Sequence, residues 1–277
     1  MREQGFKNFE LNTIAYNCIL NLLARRGLPE QAKEVLDQMS ELAAKGYPCA
    51  PDTVSYSCFC RAYSNSNNAD GAERTLSILS EVEEKYRDGN NSLKPDSFLY
   101  NAVLTTLART AQTDSSAAEK ANELLTRMEL SSVSDNPILP DLVSYSNVCQ
   151  AYAVSSVADG AEKAEEFLQR AEELAADGSL AYPDGIFYSA MALAFTRNQV
   201  PNLDKAERVI QRMEELQLAG RRNIGPSTQT YNFLLSGWAH SRSPDKLKNA
   251  MGLLEKLKHG ASSRKAQPGP DVFSYNW

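Results

Sequence analysis

The chain has 277 residues and a net charge of −6. Hydrophobic residues make up 42% of it, enough for a packed interior, which excludes a disordered polymer. No run of about 18 consecutive apolar residues occurs, so no segment is expected to cross a membrane, and the acidic balance argues at first sight against a nucleic-acid partner.

The opening MREQGFKNFE is neither a signal peptide nor an Arg/Ser-rich transit peptide, so Met1 is expected to begin inside a longer chain. Residues 1–12 read as the tail of a preceding unit. From Thr13 a helix is predicted over TIAYNCILNLLARR, closed by Gly27, and Pro29 then opens a second helix at a place where its missing N–H costs nothing. That second helix carries Ala32, Val35, Leu36 and Met39 on one stripe. The pattern then repeats. TVSYSCFCRAYSN is followed by GAERTLSILSEVEEKYRDG, SFLYNAVLTTLART by AEKANELLTRMEL, and LVSYSNVCQAYAV by AEKAEEFLQRAEEL. GIFYSAMALAFTR is followed by LDKAERVIQRMEEL, and TQTYNFLLSGWAH by PDKLKNAMGLLEKLKHG. Each second helix is apolar on one face and charged on the other, and no segment shows sustained strand alternation.

The units are marked by a recurring phrase: PDTVSYS from Pro51, PDSFLYN from Pro95, PDLVSYS from Pro140, PDGIFYS from Pro183, PSTQTYN from Pro226 and PDVFSYN from Pro270. The residue after each proline is Asp52, Asp96, Asp141, Asp184, Ser227 or Asp271, at gaps of 44, 45, 43, 43 and 44 residues, and Asn12 stands one unit earlier at a gap of 40. Six units follow, 13–52, 53–96, 97–141, 142–184, 185–227 and 228–271, with a seventh begun at 272–277. One helix pair cannot bury its stripe alone, whereas stacked pairs share a continuous core, so an all-α solenoid is predicted.

A first helix opening x-(Val/Ile/Phe)-x-Tyr-(Asn/Ser) and a unit ending Pro-Asp resemble the pentatricopeptide repeat family. The resemblance covers nearly the whole chain, and its specificity lies in the six-fold recurrence. It departs in length: extra residues stand before Pro-Asp, as in SSVSDNPILPD (131–141) and LAGRRNIGPS (218–227). They are expected to form a longer second helix or a loop on the rim. The family implies a right-handed α-α superhelix of helix–turn–helix repeats that binds single-stranded RNA, one base per repeat, in a mitochondrion or plastid. There such proteins act on transcript processing, stability, editing or translation.

Positions are counted from the residue after each Asp. Position 4 is tyrosine throughout: Tyr16, Tyr56, Tyr100, Tyr145, Tyr188, Tyr231 and Tyr275. It reads as a spacer between first helices or, alternatively, a base-stacking ring. Position 5 is Asn17, Ser57, Asn101, Ser146, Ser189, Asn232 and Asn276. Asn and Ser are poor helix formers, and both donate and accept hydrogen bonds, so a role in recognition is expected. In the family this residue and the last residue of the unit contact one base. The pairs are Asn17/Asp52, Ser57/Asp96, Asn101/Asp141, Ser146/Asp184, Ser189/Ser227 and Asn232/Asp271. The terminal Asp or Ser also reads as a helix N-cap, worth about 1 kcal/mol. Asn with Asp implies uridine and Ser with Asp guanine, giving U-G-U-G-N-U. Position 2 (Ile14, Val54, Phe98, Val143, Ile186, Gln229) reads equally as core or as the side chains that sandwich bases in the family. At position 13 the resemblance implies phosphate contacts from Arg25, Arg109, Arg197 and His240.

Charge is segregated. The first sixteen residues of the six complete units contain Arg25, Arg26, Arg61, Arg109, Arg197 and Arg242, but no Lys, Asp or Glu. Random placement of the 35 acids would put roughly 12 there. The acids fall on the second helices, whose outer face could serve protein partners; a protein-binding scaffold without nucleic acid is the alternative reading. The five cysteines are an odd count without a secretory leader and point to reduced thiols in an intracellular setting. Cys58-x-Cys60 has the wrong spacing for a zinc site, and His240 and His259 lack partners at ligand spacing. No phosphate-binding glycine loop or deaminase motif is present, so neither cofactor nor enzymatic activity is expected.

Overall fold

The computed structural model describes residues 12–66, 68–131, 137–197, 201–262 and 269–275. The proposed tail of a preceding unit (1–11), Asn276 and part of the 131–141 insertion lie outside the described residues. The described chain is helical and contains no strand. Its first helices are α1 (Thr13–Arg26), α3 (Thr53–Asn65), α5 (Ser97–Thr110), α7 (Leu142–Val154), α9 (Gly185–Arg197) and α11 (Thr228–His240). They alternate with the second helices α2 (Pro29–Ala44), α4 (Gly71–Arg87), α6 (Ser116–Ser131), α8 (Gly160–Ala176), α10 (Leu203–Leu218) and α12 (Lys246–Ser262). The fold class is an all-α solenoid of helix–turn–helix repeats.

The helices start where the marker residues place them. Asp52 accepts the amide of Ser55 at 2.9 Å, Asp96 that of Leu99 at 2.9 Å, and Asp141 that of Ser144 at 3.0 Å. Asp184 accepts from Phe187 at 3.0 Å and Ser227 from Thr230 at 3.2 Å. Asn12 does the same for Ala15 at 3.0 Å. Every marker is thus an N-cap, satisfying an amide the helix cannot satisfy itself. At the other end of α1, Gly27 adopts φ 65°, and a Cβ there would lie 2.4 Å from the Asn65 carbonyl oxygen. Conformation and space therefore both require glycine.

The chain forms two compact units, Met1–Thr110 with Thr126–Leu139, and Ala111–Leu125 with Pro140–Trp277. In the first, α1 packs on α3 and α3 on α5, while α2 bridges α1 and α3, and α4 bridges α3 and α5. In the second, α7, α9 and α11 stack in the same way, with α8 against α7 and α9 and α10 against α9 and α11. First helices are enclosed on several sides. Phe187, Tyr188, Met191, Ala192, Ala194 and Phe195 of α9 are all buried. This explains why first helices carry no carboxylate: a buried unpaired charge costs far more than the ~1.5–3 kcal/mol gained by burying an apolar side chain there.

The tails are second helices of 16 to 17 residues followed by a loop. Two loops contain a 3-10 turn, Asn91–Leu93 and Arg222–Ile224, that buries one apolar residue, Leu93 or Ile224. The position 4 tyrosines are buried from Tyr16 to Tyr231, and only Tyr275 is exposed. The hydroxyls of Tyr100, Tyr188 and Tyr231 donate to Glu83, Glu172 and Glu214 of the preceding second helix. Burial, and then the adjacent carboxylate, push these phenols well above their ordinary range. Glu83 and Glu214 also pair with a base one repeat on, Arg127 at 2.6 Å and Lys256 at 2.7 Å. These rings are spacers and staples, and the acids of the second helices are partly consumed in them.

Candidate functional site

Each site side chain is placed by the first turn of a first helix. Position 2 faces away from the core: Ile14, Phe98 and Ile186 are 72%, 77% and 70% exposed. Val54, Val143 and Gln229 are exposed as well. Core filling, open as a reading of the sequence, is thereby excluded for this position. Position 5 lies one turn on beside it, half-buried except at Asn232, which is buried.

In the first compact unit a groove of about 860 Å³ gathers these positions from consecutive repeats. Asn17, Asp52, Ser57, Asp96 and Asn101 line it, between the apolar side chains Ile14, Val54 and Phe98. Arg25 and Arg61 stand along the same groove with Asn21, Ser64 and Asn65. A second groove, of about 550 Å³, lies within the other unit and is lined by Arg197, Gln229, Asn232, His240, Asp271 and Phe273. An apolar groove with a few convergent polar groups is the usual form of a binding site.

The Asn/Asp pairs meet directly. The Asn17 amide Nδ2 donates to Asp52 at 3.1 Å (Oδ1) and 3.4 Å (Oδ2), across 35 residues of chain. Asn232 Nδ2 donates to Asp271 Oδ1 at 3.0 Å. That bond, foremost among several, holds the Asp271 carboxyl below the usual carboxylate range. A third residue completes each arrangement: Ser55 Oγ donates to Asn17 Oδ1 at 2.6 Å, and Ser274 Oγ to Asn232 Oδ1 at 2.7 Å. The carboxylate therefore both caps the next helix and orients the amide. Each arrangement still holds a second amide hydrogen beside a carboxylate oxygen: one donor next to one acceptor.

The Ser positions are built differently. Ser57 Oγ donates to the Thr53 carbonyl at 2.9 Å and Ser189 Oγ to that of Gly185 at 2.6 Å. These are bonds to the preceding helical turn. Ser57 and Asp96 share the groove, whereas Ser189 and Ser227 are joined through Thr230 Oγ1, at 2.8 Å and 2.9 Å. Ser146 is half-buried in α7, and Asp184 caps α9 through Ile186 and Phe187. Asn101 and Asp141 belong to different compact units, where Asn101 lines the first groove and Asp141 caps α7.

Position 13 is less uniform than its sequence suggests. Arg109 donates to the Ser64 carbonyl at 2.7 Å, and Asn65 Nδ2 to the Ala24 carbonyl at 2.9 Å. Both satisfy the C-terminal carbonyls of the preceding first helix. His240 Nδ1 lies 2.9 Å from the Ser236 carbonyl. Arg25 and Arg197 are exposed along their grooves. Two contributions were missed from sequence: Arg61, whose guanidinium bonds the Asn21 amide oxygen in the groove, and the third-position hydroxyls of Ser55, Thr230 and Ser274. The hydroxyls had a signal, because Ser or Thr three residues after a cap is the second half of a capping box. Among the described residues no cluster of His, Cys, Asp and Glu could hold a metal ion, and no helix is long and apolar enough to cross a membrane.

Comparison with known proteins agrees with the fold. The family model for the PPR repeat matches residues 14–42. No curated protein sequence matches the chain. Among solved structures, the pentatricopeptide repeat protein PPR10 from maize is similar in fold, with a TM-score of 0.54 and 21% identity over 95% of this chain. The match spans 31% of the maize protein's length. Residues 14–42 match as one such repeat, and the same helix pair, cap and position 4 tyrosine recur from unit to unit.

Proposed function

We propose that this protein binds single-stranded RNA and reads one base per repeat. The observation that carries the reading is the Asn17–Asp52 contact, repeated at Asn232–Asp271, each at the floor of a groove flanked by exposed side chains at position 2. Uracil presents carbonyl oxygens beside an N–H, the complement of the amide donor and carboxylate acceptor. Ile14, Val54 and Phe98 offer faces against which a base can lie, and stacking tolerates any base. Arg25, Arg61 and Arg197 supply the positive charge for phosphate. Through the pairs Asn17/Asp52, Ser57/Asp96, Asn101/Asp141, Ser146/Asp184, Ser189/Ser227 and Asn232/Asp271, the preferred RNA is 5′-U-G-U-G-N-U. By family, the place of action is a mitochondrion or plastid, and the outcome is processing, stability, editing or translation of a transcript.

The test is a titration of the chain with labelled U-G-U-G-N-U and a scrambled RNA, each at two salt concentrations. The expected result is tighter, salt-sensitive binding of the ordered sequence. Equal binding of both RNAs, or of neither, would favour a protein-binding scaffold instead.

A further inference from the structure

The third residue of each first helix sorts with the fifth residue of the repeat before it. Where position 5 is Asn17, Asn101 or Asn232, the next helix carries Ser55, Ser144 or Ser274 at position 3. After Ser57 or Ser146 that place holds Leu99 or Phe187, both buried and without a hydroxyl, and after Ser189 it holds Thr230. At the two Asn sites whose contacts lie within one compact unit, the geometry gives this sorting a cause. The Ser55 hydroxyl has one proton, and its shortest contact is the 2.6 Å bond to Asn17 Oδ1. Its 3.0 Å approach to Asp52 Oδ1 is longer. Ser274 repeats both distances closely, at 2.7 Å and 3.1 Å. Ser55 and Ser274 are themselves fully packed, at 0% and 3% exposure, so neither can touch a ligand.

From this we infer that the reading unit for uridine is a three-residue clamp spanning two repeats, in which Ser55 and Ser274 are positioning residues that act with Asp52 and Asp271 to fix which end of the Asn17 or Asn232 amide faces the groove. The inference rests on the RNA-binding reading and deepens it. A side-chain amide is nearly symmetric in shape, and turning it by half a revolution exchanges donor for acceptor. The carboxylate takes one Nδ2 hydrogen and the serine hydroxyl donates to Oδ1, so both contacts hold the same rotamer and leave the second Nδ2 hydrogen for the ligand. An outward N–H suits a uracil carbonyl and meets the amine of cytosine donor to donor. An amide that has lost one of its two anchors turns more readily and can accept that amine through its oxygen, so the serine adds to rejection of cytosine more than to affinity for uracil.

Ser55→Ala, Ser55→Thr and Ser274→Ala are tested against U-G-U-G-N-U with U or C at the first or the sixth base. In the unaltered chain both positions favour U. Ser55→Ala is expected to cut the U-over-C ratio at the first base by about tenfold and to leave the sixth base unchanged. Ser274→Ala does the reverse, and Ser55→Thr, which keeps the hydroxyl, retains the ratio. Ser55 also belongs to a capping box, so thermal stability is measured in parallel, and the ratio at the unaltered base serves as the internal control for folding. A second set keeps every native serine. Ser57→Asn, whose neighbour is Leu99, should gain only weak preference for U at the second base. Ser189→Asn with Ser227→Asp, completed by the existing Thr230, should gain a strong one at the fifth. A ratio unchanged in Ser55→Ala, or equal gains in the second set, overturns the positioning role while leaving base reading intact. No preference for U in the unaltered chain overturns base reading and the clamp with it.

Discussion

Asn17 and Ser57 occupy the same place in neighbouring repeats of one compact unit, line the same groove, and are wired oppositely. Asn17 reaches across to the end of its own repeat, with its amide held between Asp52 and Ser55. Ser57 turns back to the Thr53 carbonyl, one turn earlier in its own helix. The longer side chain spans the gap to the carboxylate, whereas the shorter one finds its nearest acceptor in its own backbone. One helical position thus yields a preorganised donor in the first case. In the second, a hydroxyl has spent its proton and offers lone pairs.

The strongest way to break this comparison is truncation at position 5. Asn17→Ala or Asn232→Ala should lose preference for U at the first or sixth base by the equivalent of about 1–3 kcal/mol, measured as a ratio of dissociation constants. Ser57→Ala, which removes a self-bonded hydroxyl, should cost less at the second base. Asn101→Thr should move the third base from U towards G, and an even loss across all RNAs would make that residue structural only.

The carboxylates sharpen the contrast. Asp52→Ala and Asp184→Ala each remove a helix cap, so both should lower stability by about 1 kcal/mol, read from chemical denaturation. Only the first also releases an amide, and it alone should relax the choice between U and C. At the Asn232 clamp the same bond can be followed by titration. The Asp271 carboxyl is depressed, so its contribution is present above the ordinary carboxylate range and is lost as pH falls through its lowered value. Asn232→Ala should raise the Asp271 midpoint towards the ordinary value in an NMR titration.

The tyrosine staples do not distinguish the two kinds of repeat and provide the smallest, shared effect. Tyr100 and Tyr231 stand beside an Asn at position 5 and Tyr188 beside a Ser, and all three phenols are raised by burial. A raised phenol contributes stability that is intact below its unfolded value, about 10, and is lost as pH rises beyond it. Denaturation midpoints should therefore fall between pH 9 and pH 11, equally with Asn or Ser at position 5. Lys256 is the exposed member of its ion pair, and replacing it by Gln should change stability by about 0–1 kcal/mol.

Much of this was legible beforehand. The repeat of Pro-Asp marked each helix start because an N-cap is a local device, decided within four residues. The stripe of Ala32, Leu36 and Met39 and the carboxylate-free first helices reported burial through composition alone. The place of Phe98 and Ile14 was not legible, since an apolar residue on a helix enclosed on several sides reads as core until the neighbours are known. The resemblance implied a phosphate contact for Arg109, whereas the fold gives its guanidinium a carbonyl on the preceding first helix. Ser55 was passed over because a capping-box serine already has a local explanation.

By itself, the sequence determined the architecture: a period, caps at fixed offsets and one apolar stripe per helix are short-range instructions, and stacking them leaves a repeating helix pair as the way to bury the stripes. Only the tertiary structure decided what the polar residues do. Asn17 and Asp52 are 35 residues apart, and Asn17 and Ser55 are 38 apart. Whether such groups meet depends on the rise from one first helix to the next and on which side chain is long enough to bridge it.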